Sequence, residues 1–485
     1  MPIVSWPMSS QQCRYLASQN GLSKPVPMNH FTVQPDAVRA AAQPRGRLAW
    51  ALTQRSLYLL LAGCLFLIPA FFRARYAFAM LAWDVCVLIA ATVDGARLPA
   101  PRLVDAERKW LGAPSLGREV AVELAITQHG RSLIHCDLLD DLPSPFLQGP
   151  DSWKLNAYPE ARAFVRYRFT PAERGDHATG RLYLRYRSNV GLAERWAMAN
   201  LIQMVRIYPT LRTPEENRLY LARHHRIELQ MRMRRQRGLG RDFESLRDYL
   251  EGDEIRDICW TASARRGSLV TRLYEMEKSQ AVWIVLDAGR LQGGRVGRYT
   301  KLDQATAAAL ALAQIALASG DRIGLLAYGR DTQQLILPGR GAAHLRLLLD
   351  ALAQVHAEPL EADHLRATAT LMHRQPRRSL ILWMTDFAET AMQPEVLDAA
   401  AQLVRRHLLL FIAISQLDVQ RQAAATPESV DAVFETAAAQ ELLARRERLL
   451  RRLQERGAMT LETQPESLAG SVLNRYLEVK EQGIL

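Results

Sequence analysis

From Ser56 to Val93 the chain is apolar apart from a few polar positions, chief among them Arg73, Arg75 and Asp84. Two runs make up this block, Ser56–Phe72 (SLYLLLAGCLFLIPAFF) and Tyr76–Val93 (YAFAMLAWDVCVLIAATV), separated only by Arg73-Ala74-Arg75. Each approaches the ~20 residues that cross ~30 Å of hydrocarbon at 1.5 Å per residue. So short a link returns the chain to the side it came from, which predicts a two-helix transmembrane hairpin over 56–95 rather than a buried hairpin of a soluble protein. A secretory signal would lie nearer the N-terminus and end at a small-residue cleavage site. Asp84 reads either as an intramembrane carboxylate with a role or as a partner for an arginine of the tight hairpin.

Residues 1–55 form a tail whose Pro, Gln, Ser and Ala show no periodicity through residue 45, and disorder is the expectation there. Beyond the hairpin the pattern turns to period-two alternation in VAVELAI (120–126), RAFVRYRF (162–169), RLYLRYR (181–187) and MVRIYP (204–209). Gly, Pro, Asp and Asn separate these runs, which predicts an antiparallel β-sandwich over 115–235. From Ser279 strands alternate with helices. AVWIVLDAG (281–289), DRIGLLAYG (321–329), RRSLILWMTDF (377–387) and LLLFIAI (408–414) are joined by helical stretches such as KLDQATAAALALAQIALAS (301–319). Apolar strands joined by helical crossovers predict a mostly parallel, Rossmann-type α/β domain over 281–485. The chain is therefore multidomain, as 485 residues already suggest.

Charge adds orientation. Arg39, Arg45, Arg47 and Arg55 precede the hairpin and Arg97, Arg102, Arg108 and Lys109 follow it, which predicts both soluble ends in the cytoplasm of a multi-pass protein. The net charge of +12 suits nucleic acid or an anionic membrane surface, and beside the hairpin the membrane lipid is the simpler explanation. The basic run His224–Arg241 reads as a solvated linker or as a contact for anionic lipid or an acidic partner. No nucleic-acid partner is expected, since no interleaved aromatic platform accompanies the charge. Five cysteines without CxxC or Cys/His spacing indicate neither a disulfide framework nor a zinc site.

Asp287 closes the first α/β strand and is followed by glycines at 289, 293, 294 and 297. These fit neither GxxxxGK[ST] nor GxGxxG, so no nucleotide site is indicated. GxSxG and HExxH are also absent, and the chain reads as non-enzymatic. Asp287 and Asp386 both end strands at the carboxyl edge where open α/β sheets place ligands, and they are the candidate metal carboxylates. The arrangement resembles the von Willebrand factor A fold, whose metal site has an Asp-x-Ser-x-Ser loop and a later Asp. Here Gly289 and Leu291 stand at the two hydroxyl positions, so the expected cofactor is none, or weakly bound Mg²⁺.

The stretch FESLRDYLEGDEIRDICWTASARRGSLVTRLYEMEKSQAVWIVLDAGR (243–290) resembles the signature of the domain-of-unknown-function 58 family, LRxYxxGDxxRxIxWxxSARxxxL ahead of a DxG strand. Leu246, Arg247, Tyr249, Gly252, Asp253, Arg256, Ile258, Trp260, Ser263, Ala264, Arg265 and Leu269 carry the match. The resemblance implies a bacterial inner-membrane protein with a von Willebrand factor A-like domain and a MoxR-type AAA+ ATPase as partner, acting on an unknown client protein. Within the signature segment, 240–280, a salt-bridged strand-turn would pack Trp260 against the sheet. As a docking surface, Arg247, Asp253, Arg256, Trp260 and Arg265 would bind the partner. Two functions follow as expectations: a membrane-anchored adaptor or assembly factor for the ATPase, or a divalent-metal-dependent adhesion or ligand-binding module with a degenerate site.

Overall fold

The structure is a computed structural model that describes residues 34–45, 50–70, 72, 75–144, 152–210, 242–250, 253, 255–275, 280–386 and 394–482. The chain divides into two compact units, 1–207 and 208–485. The basic run His224–Arg241 lies outside the described residues.

The first unit is mostly β. Its strands are β1 (Val38–Pro44), β2 (Trp50–Leu52), β3 (Val104–Trp110), β4 (Val120–Gln128), β5 (Ile134–Asp140), β6 (Trp153–Ala157), β7 (Arg162–Phe169), β8 (Gly175–Thr179), β9 (Leu182–Ser188), β10 (Ala193–Ala199) and β11 (Gln203–Ile207). The main sheet runs β6-β5-β9-β10-β1-β3-β4-β7, all antiparallel, with β2 added on β10. Its end strands meet where Trp153 of β6 stacks on Tyr167 of β7, so the sheet closes around one core. β5 and β9 alternate strictly between buried and half-buried positions, the periodicity the sequence carries.

One expectation is corrected in this unit. Val38–Pro44, expected within a disordered tail, is a central strand whose first half pairs with β3 and whose second half pairs with β10. Its sequence VRAAAQP has weak β-propensity, and only its neighbours make it a strand. Arg108, one of the basic residues that follow the hairpin, is fully buried. Its guanidinium pairs with Asp140 and donates to Thr179 Oγ1 and the Leu201 carbonyl, both at 2.8 Å, while the Tyr167 hydroxyl donates to Asp140 at 2.6 Å.

The apolar block forms α1 (Gln54–Gly63), a 3₁₀ turn at Cys64–Phe66, α2 (Leu67–Ala70) and α3 (Arg75–Arg97). Among the described residues one helix, Ala77–Arg97, is long and apolar enough to span a membrane, whereas Gln54–Phe66 is apolar but shorter. The two expected spans therefore differ in kind: the first passes into a 3₁₀ turn after Gly63, which packs against α3. A Cβ on Gly63 would lie 2.6 Å from an Asp84 carboxylate oxygen, and Trp83 Nε1 donates to the Leu59 carbonyl at 2.9 Å. Both ends of the block grip the β9–β10 turn. Thr53 Oγ1 donates to the Gly191 carbonyl at 2.6 Å, and Ser56 Oγ donates to that of Leu192. The buried Asp94 carboxylate accepts from Ser188 Oγ at 2.5 Å, Leu192 N at 2.9 Å and Ala193 N at 3.0 Å.

The second unit begins with a ribbon of β12 (Asp242–Asp248) and β13 (Val270–Glu275), between which lies α4 (Trp260–Arg266). An α/β domain follows: β14 (Ala281–Asp287), a small ribbon of β15 (Arg295–Val296) and β16 (Tyr299–Thr300), α5 (Lys301–Ala318), β17 (Arg322–Tyr328), β18 (Thr332–Gly339), α6 (Gly341–Gln354), α7 (His364–Arg374), β19 (Leu380–Thr385), α8 (Pro394–Val404), β20 (Leu408–Ile414), α9 (Leu417–Ala424), α10 (Val430–Glu455), β21 (Met459–Thr463) and α11 (Leu468–Gln482). The sheet order is β18-β17-β14-β19-β20-β21, parallel except for the antiparallel edge strand β18. Every residue of β14 is buried because helices cover both faces. A capping box between Thr300 and Asp303 starts α5, so the chain leaves the glycine loop in a fixed direction.

Candidate functional site

Parallel pairing brings the ends of β14 and β19 side by side, which gathers Asp287, Thr385 and Asp386 at the carboxyl edge. The Asp287 carboxylate accepts from Gly289 N at 2.7 Å and Thr385 Oγ1 at 2.5 Å, closing the turn after the strand. Burial pushes its pKa above the ordinary aspartate value, against the lowering influence of His364 and these hydrogen bonds. Nearby, the Trp383 indole donates to the Tyr328 hydroxyl at 2.7 Å, and Tyr328 meets His364 Nδ1 at 2.8 Å. Desolvation holds His364 below the ordinary histidine pKa, against the raising influence of the Asp287 carboxylate.

Asp386 is fully buried and surrounded by donors. Lys301 Nζ, from the first residue of α5, pairs with Oδ2, which also accepts from Gln416 Nε2 at 3.2 Å. Arg446 Nη1, from the middle of α10, reaches Oδ1 at 2.9 Å. The same guanidinium donates to the Ile414 carbonyl at 2.6 Å and to Glu462 at 2.8 Å. Both expected metal carboxylates are thus engaged, one by an amide and a hydroxyl, the other by two cations. The missing hydroxyl at 289 has a steric cause: a Cβ there would lie 2.8 Å from the Ala362 amide nitrogen. Among the described residues no group of three or more His, Cys, Asp or Glu side chains is arranged to hold a metal ion.

The expected partner-binding residues share one small segment. Arg247 pairs with Asp253 at 2.6 Å, and Asp253 also accepts from Leu250 N at 3.0 Å, so these two fix a turn. Arg265 is exposed on α4. Arg256 belongs to a 3₁₀ turn, Ile255–Asp257, and its side chain lies outside the described residues. Trp260 departs from expectation: it is 63% exposed. The segment's packed face is instead Cys259, Ser263, Val270 and Thr271, with Val270 N donating to Ser263 Oγ at 2.9 Å. As the first residue of a seven-residue helix, Trp260 points away from this small interior. Leu250 and Ile255 are exposed nearby in sequence.

Lys301, Arg446, Gln416, Thr385 and His364 were not legible as site residues. The nearest signal was Lys301, a lone lysine opening an Ala/Leu-rich helix after the glycine loop. Arg446 gave none, lying in the basic run ARRERLLRR.

Residues 245–456 match the family described as Protein of unknown function DUF58. Solved structures similar to the chain include the conserved hypothetical protein BatB from Bacteroides thetaiotaomicron, with 10% identity over 41% of this chain and 99% of that one, at a TM-score of 0.28. The VWA domain of SpRpn10 has 12% identity over 41% of this chain and 95% of that one, at a TM-score of 0.24. No curated protein matches.

Proposed function

We propose, for a chain that carries the DUF58 domain over residues 245–456, that it works as a membrane-anchored, non-enzymatic adaptor or assembly factor with a MoxR-type AAA+ ATPase, acting on a client protein. The observation that carries this reading is the exposed Trp260 within the signature. Tryptophan beside arginine is the composition of interface hot spots, and an exposed indole gains nothing from folding alone. The apolar surface of α1 through α3 supports the anchor, with Leu61, Leu65, Ile68, Phe78, Leu81 and Ile89 all exposed. In this reading both apolar segments enter the inner membrane as a hairpin. Both soluble units lie in the cytoplasm, where ATP is, and the parallel sheet serves as a Rossmann-type scaffold.

The competing metal-dependent module fits less well. A divalent ion would have to displace Lys301 and Arg446 from Asp386 and the Gly289 amide from Asp287, so the residues present do not suit it. Their ammonium and guanidinium supply the positive charge that an ion would bring. The test is binding of the purified MoxR-type ATPase of the same bacterium to the full chain in lipid nanodiscs. Trp260→Ala should weaken binding at least about thirtyfold, the ~2 kcal/mol of a hot spot, without altering the melting profile. No binding by the parent chain, or equal binding by the variant, would refute the proposal.

A further inference from the structure

The hairpin of α9 and α10 leaves the carboxyl edge of the sheet after β20, and Asp386 ties down its base through Gln416 at the start of α9 and Arg446 within α10. One face of α10 is packed, with Thr436 and Ala439 buried. On another face Val430, Phe434, Ala438 and Leu442 recur every fourth residue and are all exposed, Phe434 by 69%. Such an i, i+4 stripe is what an amphipathic helix lays into a groove. Its surroundings are acidic. Asp418 is tied to Arg421, and Glu441 to Arg445 and Arg448. Glu428, Asp431 and Glu435 have no cation beside them among the described residues.

A surface of opposite character lies on the α4–β13 side of the signature. From Ile258 to Tyr274 the sequence holds three arginines and no carboxylate. Trp260, Ala264 and Leu269 are exposed there, with Arg265 and Arg266 beside them. Arg266 meets Asp248 at 3.3 Å, but both side chains are over 60% exposed, so the pair is weak. In chain order β13 precedes the amino end of β14, whereas α9 follows the carboxyl end of the parallel strand β20, so the two surfaces are different parts of the unit.

We infer that the α9–α10 hairpin of one copy docks on the α4–β13 surface of a second copy, stripe against Trp260 and Leu269, carboxylates against Arg265 and Arg266. Charge complementarity selects this occupant over a bilayer, because an anionic leaflet repels the acidic hairpin. Two different surfaces in contact make a head-to-tail association, which closes into a ring or continues as a chain. Trp260 is also the residue assigned to the ATPase above, so a second copy would compete for it. The self-association is measured without the ATPase, and either reading can fail alone.

Sedimentation velocity of the full chain in detergent micelles should show concentration-dependent association. Glu435→Arg or Arg265→Glu should each weaken it at least about tenfold. A mixture of the two variants should recover association, because the altered hairpin of one meets the altered surface of the other. A benzoylphenylalanine photo-crosslinker at position 434 in mixed heavy- and light-isotope chains should yield intermolecular products within 258–274. A monomer at every concentration, association indifferent to both substitutions, or crosslinks mapping elsewhere would overturn the inference.

Discussion

Replacing Asp386 by asparagine tests whether the carboxyl edge is a structural ion-pair cluster or a metal site. Asp386 is completely buried, while the Lys301 and Arg446 side chains are 8% and 7% exposed. Asp386→Asn keeps the shape but removes the carboxylate that pairs with Lys301 and one of the two that pair with Arg446 among the described residues. Breaking a buried pair in this way costs about 3–5 kcal/mol. For a unit of this size that lowers the calorimetric Tm by roughly 6–20 °C. Asp287→Asn should cost only about 1 kcal/mol, since the amide oxygen can still accept from Gly289 N. Mg²⁺ discriminates further. An ion added at tenfold its Kd would stabilise the folded chain by about 1.4 kcal/mol, and no such rise is expected in the parent. Equal losses from the two substitutions, or a Mg²⁺-dependent rise abolished by Asp386→Asn, would refute the ion-pair account.

Two further outcomes follow from buried groups. Arg108→Met leaves the Asp140 carboxylate buried with only the Tyr167 hydroxyl among the donors named above, and should destabilise the β unit by about 3–5 kcal/mol; adding Asp140→Leu should recover part of that loss in the same thermal melt. His364 is held below its ordinary pKa by desolvation, so the unfolded chain takes up the proton first. Stability should be complete above pH ~6.5 and fall as the pH drops below it, and His364→Gln should flatten that decline in melts between about pH 7 and 5.

Much of the architecture was legible because burial imposes a period. β9 alternates, β14 is apolar throughout, and both patterns were present in the sequence. β1 was not, since three alanines in a row acquire strand geometry only from β3 and β10 on either side. The candidate site was half legible. Aspartates at strand ends announce themselves, but the cations that neutralise Asp386 arrive from 85 and 60 residues away, and no local pattern encodes that distance. Trp260 misled for a related reason: a tryptophan amid charges suggests a core anchor, yet a seven-residue helix has too little interior to cover one.

The turn that receives both ends of the apolar block has a mechanical consequence. Thr53 and Ser56 donate to the carbonyls of Gly191 and Leu192, while Asp94 holds the amides of Leu192 and Ala193, so two adjacent peptide units are each held from both ends of the apolar block. A force applied to the β unit would reach the apolar helices through several hydrogen bonds at once. Such a joint couples the β unit to the apolar helices at two points, so a torque on one would reach the other.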